Sequence, residues 1–140
     1  MEGPLARKHS TETLKVRLFG ASPEDWARFI ELPYFTAKWK HLGLDDDDLR
    51  ALEIGLVLQP KQAPVVPGTG GLRKLRFRRA AGNRGKSGSF RVGYVYFEAF
   101  GVIGLLAIYS KAEQADIPPG QRTQIKKAIE YLYHWVSCGG

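Results

Sequence analysis

The sequence predicts an α+β fold: an antiparallel sheet with helices on one face. Three observations carry that expectation. Apolar residues recur at helical spacing in two separated stretches, Leu49, Leu52 and Leu56 in one and Ile125, Ile129, Leu132 and Trp135 in the other. Between them, LRKLRFR (72–78) and SFRVGYVYF (89–97) alternate at period two, the spacing of a strand. The order is therefore helices, consecutive strands, then a helix. A chain of 140 residues, 44% hydrophobic and 11% aromatic, is one globular domain.

Taken in order, residues 1–25 read as an extension whose LKVRLF stretch (14–19) alternates apolar and basic residues as a strand does. Residues 20–25 read as a turn or a helix start. RFIEL (28–32) is a short strand ended by Pro33. Residues 34–41 carry aromatics spaced for a short helix, which Gly43 stops. The four aspartates 45–48 mark the next helix start: one caps it and the others favour the positive end of its dipole, a better account than metal binding. That helix runs to Pro60, and a loop rich in Pro and Gly (62–71) leads to the strand at 72–78, with Gly68, Gly70 and Gly71 as turn residues. On that strand Arg73, Leu75 and Phe77 share one face, and Lys74, Arg76 and Arg78 share the other.

Residues 92–109 are long and apolar enough to suggest a membrane helix. However, Glu98 near the centre, the glycines 93, 101 and 104, and the Tyr, Val and Ile content favour two strands joined through 98–101. The loop 111–116 leads to a final helix over 118–137. Trp26, Trp39 and Trp135 are expected as packing groups. Residues 1–13 lack the apolar core of a signal peptide. Cys138 is the single cysteine, so no internal disulfide forms and a reducing cytoplasm is expected.

Charge narrows the function. The formal net charge is +7, yet no Asp or Glu lies between Glu53 and Glu98. Nine cations do: Lys61, Arg73, Lys74, Arg76, Arg78, Arg79, Arg84, Lys86 and Arg91. A concentrated positive patch attracts a polyanion, and nucleic acid is the commonest one in cytoplasm. The AAGNRGKS stretch (80–87) satisfies the pattern of a nucleotide-binding phosphate loop. Such a loop must run from a buried parallel strand into a helix, whereas here it runs into β-branched and aromatic residues at period two. The match is accidental, and residues 80–89 read as a basic hairpin loop with Arg84 and Lys86 at its tip.

The usual catalytic sets are missing. His9, His41 and His134 are scattered, no Cys or His spacing suggests zinc, and the acid-free stretch supplies no carboxylates for magnesium. Chemistry on a nucleic acid must then use Arg, Lys and Tyr. Attack of an RNA 2′-hydroxyl on its own neighbouring phosphate suits them, because the substrate carries the nucleophile. The planar fork of Arg suits the charged phosphorane, and a Lys crowded by cations can serve as base.

Four stretches in order, GTGGLRKLRF (68–77), GKSGSFRV (85–92), YVYF (94–97) and YSKAEQAD (109–116), resemble RelE-type toxins, and most closely their HigB-like branch. The resemblance covers residues 29–135. It implies a small, mainly antiparallel sheet with two N-terminal helices packed on one face and a C-terminal helix, in a toxin domain spanning 26–140. It implies a metal-independent endoribonuclease without cofactor that cuts messenger RNA on the ribosome. A cognate antitoxin, commonly with a helix-turn-helix domain, would neutralise it and tie it to operator DNA. By position, Arg91 is implied to stabilise the phosphorane, with Lys74 and Arg76 as base and phosphate clamp. Lys86 and Arg84 would grip RNA backbone from the loop, and Lys111 is the basic residue after the third strand. Tyr94 or Tyr96 would stack on a base or hold the leaving group, Arg73 and Arg78 would bind RNA, and Glu113 would orient a neighbouring cation. The chain departs from the family pattern at Ala112 and Gly93. On packing grounds alone, Tyr96, Phe97 and Tyr109 belong in the core.

Two other functions share this surface. ParE-type toxins have the same architecture and poison DNA gyrase by binding, without a cation cluster poised at a phosphate. A nucleic-acid-binding module without chemistry would need only phosphate contacts.

Overall fold

The computed structural model describes residues 14–19, 27–79, 89–114 and 116–140. The turn expected at 20–25, Trp26 and the loop carrying Arg84 and Lys86 lie outside them. The elements are β1 (Lys15–Phe19), β2 (Ala27–Glu31), α1 (Pro33–His41), α2 (Asp46–Leu58), β3 (Arg73–Phe77), β4 (Phe90–Phe97), a one-turn 3-10 helix (Glu98–Phe100), β5 (Val102–Ser110) and α3 (Pro119–Ser137). The strands form one sheet in the order β1-β2-β5-β4-β3.

Pro33 both ends β2 and opens α1, where its fixed φ suits the first helical position and its missing N–H leaves no acceptor unpaired. The aspartate run caps α2 as expected. The Asp45 side chain accepts from the Asp48 amide at 2.9 Å, and the Asp48 carboxylate accepts in return from the Asp45 amide at 3.0 Å. Asp48 is fully buried and also receives Arg79 at 2.8 Å, which ties the end of β3 to the start of α2. Gly101, at φ +63°, ends the 3-10 turn in the left-handed region and lets β4 reverse into β5. The apolar run at 92–109 is thus two strands, and among the described residues no helix is long and apolar enough to cross a membrane.

Three features differ from the expected arrangement. Residues 15–19, assigned to the extension, form an edge strand antiparallel to β2. The sheet is mixed, because β2 runs parallel to β5 from Arg28↔Val102 to Glu31↔Leu105. The helices also occupy both faces. Phe35, Trp39, Leu49, Leu52 and Leu56 of α1 and α2 pack with Phe29, Phe77, Val92 and Leu105, while Ile125, Ile129 and Leu132 of α3 pack with Ile30, Val95, Val102 and Leu106. The reason lies in β5, where every residue from Val102 to Tyr109 is buried; a strand apolar on both faces needs a cover on each.

Helix α3 lies close on the sheet. A Cβ at Gly104 would stand 2.7 Å from Leu132 Cδ2 and 3.0 Å from Val95 Cγ1, so only glycine admits the helix at this distance. On the other side, Glu53 of α2 is 1% exposed and paired with Arg17 of β1, Nε to Oε2 at 2.8 Å. Burial raises its pKa above the ordinary 4.5, and the Arg17 charge opposes that shift.

Replacing Arg17 by Ala leaves that carboxylate buried without its nearest cation. The expected cost is roughly 2 kcal/mol near neutral pH, less than for a wholly buried pair because solvent screens Arg17. A raised native pKa means the folded state holds the proton more tightly, so stability gained in acid is lost as pH rises through that pKa. The Arg17→Ala deficit should therefore be largest at about pH 7 and narrow towards about pH 5 in urea titrations. A deficit independent of pH would show that Arg17 acts only by packing.

Candidate nucleic-acid interface

Strand parity decides which side chains meet. On β3, Leu75 and Phe77 turn toward α1 and α2, so Lys74 and Arg76 lie on the α3 side. The antiparallel register pairs Arg76 directly with Arg91 and Lys74 with Gly93. On the opposite edge of β4, Arg91 pairs with Tyr109 of β5. Arg76 and Arg91 are thus cross-strand neighbours on one face, joined by Arg78 beyond β3 and Lys111 beyond β5. Together with Ser89 these four cations line a concavity of about 510 Å³. The strand end is closed by Lys111, whose amide donates to the Ser89 carbonyl at 3.2 Å.

Among the described residues no carboxylate lies within ion-pair distance of Arg76, Arg78, Arg91 or Lys111. Arg91 makes one long bond, 3.4 Å to the Phe90 carbonyl. Four uncompensated cations around one hollow repel one another, and an anion with several oxygens relieves that repulsion while using the planar guanidinium donors.

Lys61, Arg73, Lys74 and Arg79, from the same acid-free stretch, are occupied elsewhere. Lys74 shares the face of Arg76 but pairs with Asp116 at 3.1 Å, and Arg122 approaches the other Asp116 oxygen at 3.6 Å. The Ile117 amide, and after it Lys74, hold the Asp116 carboxyl below its ordinary range. A lysine crowded only by cations was expected; the structure sets a carboxylate against it. Arg73 lies on the opposite face and donates to the Ala63 carbonyl at 2.6 Å, so it stands apart from the concavity. Arg79 is spent on Asp48 and the Gly43 carbonyl.

The tyrosines are also sorted by parity. Tyr94 stands three residues from Arg91 on the same strand and so faces the other way. It is fully buried, its hydroxyl donates to the Pro60 carbonyl at 2.7 Å, and burial pushes its pKa up. Tyr96 shares that face, half-buried beside Lys61 and Glu98. Neither reaches the cations, which corrects the expectation that one of them stacks there on a base. The tyrosine beside Arg91 is Tyr109, which counts as core by burial. Its buried hydroxyl has no hydrogen-bond partner among the described residues, and burial, with Asp116 second, raises its pKa.

Glu113 does hold a cation, but that cation is Lys38 of α1, at 2.9 Å. It also accepts from the Ser110 amide at 2.8 Å, the main cause of its lowered pKa, and so fixes the turn that carries Lys111. Arg84 and Lys86 lie outside the described residues. The chain that follows them enters β4 and not a helix, so the context of a phosphate-binding loop is absent at that point. Counting by twos from Arg91 would have set Tyr94 and Tyr96 apart from the cations in the sequence itself, whereas Tyr109, Asp116 and Lys38 carry no comparable local signal.

No protein-family model matches the chain.

Replacing Arg76, Arg78 and Lys111 together by Gln should weaken binding to a single-stranded RNA oligonucleotide irrespective of its sequence. The plot of log affinity against log salt should flatten by about 0.7 for each phosphate that is no longer neutralised. Fluorescence anisotropy across a salt series measures both, and an unchanged slope would remove the concavity from the binding surface.

Proposed function

We propose that this protein is the toxin of a two-gene toxin–antitoxin module of the RelE/HigB kind, an endoribonuclease that cuts messenger RNA on the ribosome in the cytoplasm without a metal. The single observation that supports this most is the register setting Arg76 opposite Arg91 in a hollow of uncompensated cations. In this reading the RNA 2′-hydroxyl attacks the adjacent phosphorus, the bond to the 5′-oxygen breaks, and a cyclic phosphate is left on the upstream product. Arg91 and Arg76 bind the phosphorane oxygens, whose charge grows on the way to the transition state. Arg78 and Lys111 hold the flanking phosphates, as Lys86 and Arg84 do from the loop. The Asp116 carboxylate beside Lys74 takes the proton of the 2′-hydroxyl, and the leaving 5′-oxygen takes one from water. A helix-turn-helix antitoxin is the proposed partner that neutralises the protein and links it to operator DNA.

The RelE-like form of the fold belongs to this proposal too. Its support is the meander β3-β4-β5 with the cations at one end and α1 and α2 packed on one face. Helix α3 covers the far face of the sheet, and β2 pairs parallel with β5.

Expression in bacteria with primer extension on cellular messages tests the reading. Wild-type protein should arrest growth and produce codon-phased cuts. Arg91→Ala should lower the cleavage rate by about a hundredfold or more, the usual loss when a charge donor leaves a phosphoryl site. In a purified ribosome assay EDTA should leave cleavage unchanged once ribosome integrity is maintained. Growth arrest with intact messages would replace the nuclease by a gyrase-binding toxin.

A further inference from the structure

Strand β2 accompanies β5 only as far as Leu105, where the Leu32 amide donates to the Leu105 carbonyl at 3.1 Å and the chain turns into α1. Beyond that point, among the described residues, the β5 edge from Ala107 to Ser110 has no strand beside it. Between this edge, Tyr34 of α1 and the first turns of α3 lies a cavity of about 140 Å³. Its walls are apolar, with Ile108 and Ile125 prominent, and three amide side chains, Gln114, Gln121 and Gln124, line it. Gln114 donates to the Asp116 carbonyl at 2.9 Å, which leaves its oxygen available. Gln121 and Gln124 lie on the exposed side of α3 and form no side-chain hydrogen bond among the described residues.

We propose that this cavity is a base subsite, and that the protein takes a pyrimidine nucleotide with its base here and its phosphate among Arg76, Arg91 and Lys111. The inference rests on the reading of the concavity as a phosphate site and adds the recognition of a base. Three observations carry it. A cavity of about 150 Å³ holds one six-membered ring, so the space here suits a pyrimidine and is too small for a purine. Its polar side chains are three glutamine amides and the hydroxyls of Tyr34 and Tyr109, with no Asp, Glu, Lys or Arg among the lining residues; the amides, each both donor and acceptor, match the edge of an uncharged heterocycle and not a charged ligand. The cavity also adjoins the cations. Gln114 and Lys111 belong to the same turn, and Tyr109, which lines the cavity, is the direct cross-strand partner of Arg91. A neutral ring joined to a phosphate is the ligand that fills both hollows at once.

Calorimetric titration of the full chain with uridine 3′-monophosphate, adenosine 3′-monophosphate and inorganic phosphate tests the proposal without requiring turnover. The uridine nucleotide should bind roughly tenfold more tightly than either of the others, the gain expected from one amide–base contact. The double variant Gln121→Ala, Gln124→Ala, both on the exposed side of α3, should reduce the uridine nucleotide to the affinity of phosphate and leave phosphate itself unchanged. Arg91→Ala should weaken phosphate and nucleotide alike. Equal binding of the uridine nucleotide and phosphate, equal binding of the two nucleotides, or a double variant that keeps the wild-type pattern would each overturn the subsite. The outcomes separate it from the nuclease reading. Base-dependent binding in a protein that cuts no RNA keeps the subsite and removes the nuclease. Cleavage with no base-dependent binding does the reverse.

Discussion

Strand β5 is hydrogen-bonded on both sides, to β2 and to β4, and is covered by α1 and α2 on one face and by α3 on the other. A strand enclosed in this way has no polar side to offer solvent, so the rest of the chain is arranged to cover it. Gly104 shows how tightly, since α3 reaches the sheet only where β5 carries no side chain. β5 is also irregular. Gly93 pairs with Ala107 and Tyr94 with Leu105, which leaves Leu106 as an extra residue on β5. The bulge inverts the alternation: Ile103 and Leu105 face α1 and α2, whereas Tyr109, of the same parity, faces α3. Were Leu106 paired with Gly93 in regular register, Tyr109 would fall opposite Phe90 and point away from Arg91.

The charges divide into those the fold consumes and those it leaves open. Arg17, Arg79 and Lys74 are matched to Glu53, Asp48 and Asp116, and Arg73 to backbone carbonyls. The first two pairs are partly or wholly buried and fasten β1 and the end of β3 to α2. At the end of β3, β4 and β5 there remains a group of cations without counter-charge among the described residues, held on three adjacent chain segments. A β-sheet serves this purpose because its register fixes the spacing between such groups, while a free loop leaves long side chains free to move apart.

The two hollows at that end have different physical origins. The basic concavity arises where three strands finish together and their flanking residues carry charge. The smaller, amide-lined cavity arises because β2 leaves the sheet at Leu32, so that the last third of β5 is bordered by side chains of α1 and α3. Both depend on the same strand, and the turn fixed by Glu113 and Lys38 gives Lys111 to the first and Gln114 to the second.

By itself the sequence determined the elements and their faces. The aspartate run marked the α2 cap, Pro33 the strand end, the three glycines 68, 70 and 71 the turn that carries positive φ, and period two the division of Lys74 and Arg76 from Leu75 and Phe77. These are local matters, settled by backbone preference and by the two-residue repeat of a strand. The tertiary structure alone decided the parallel β2–β5 pairing, the entry of residues 15–19 into the sheet, the cover of α3 on the second face, and the placing of Tyr109 beside Arg91. It also decided which cations stay unpaired, because Asp116 and Asp48 lie far along the chain from the residues they neutralise. Such outcomes depend on register, on a single bulged residue and on contacts between distant segments, and no window of neighbouring residues contains that information.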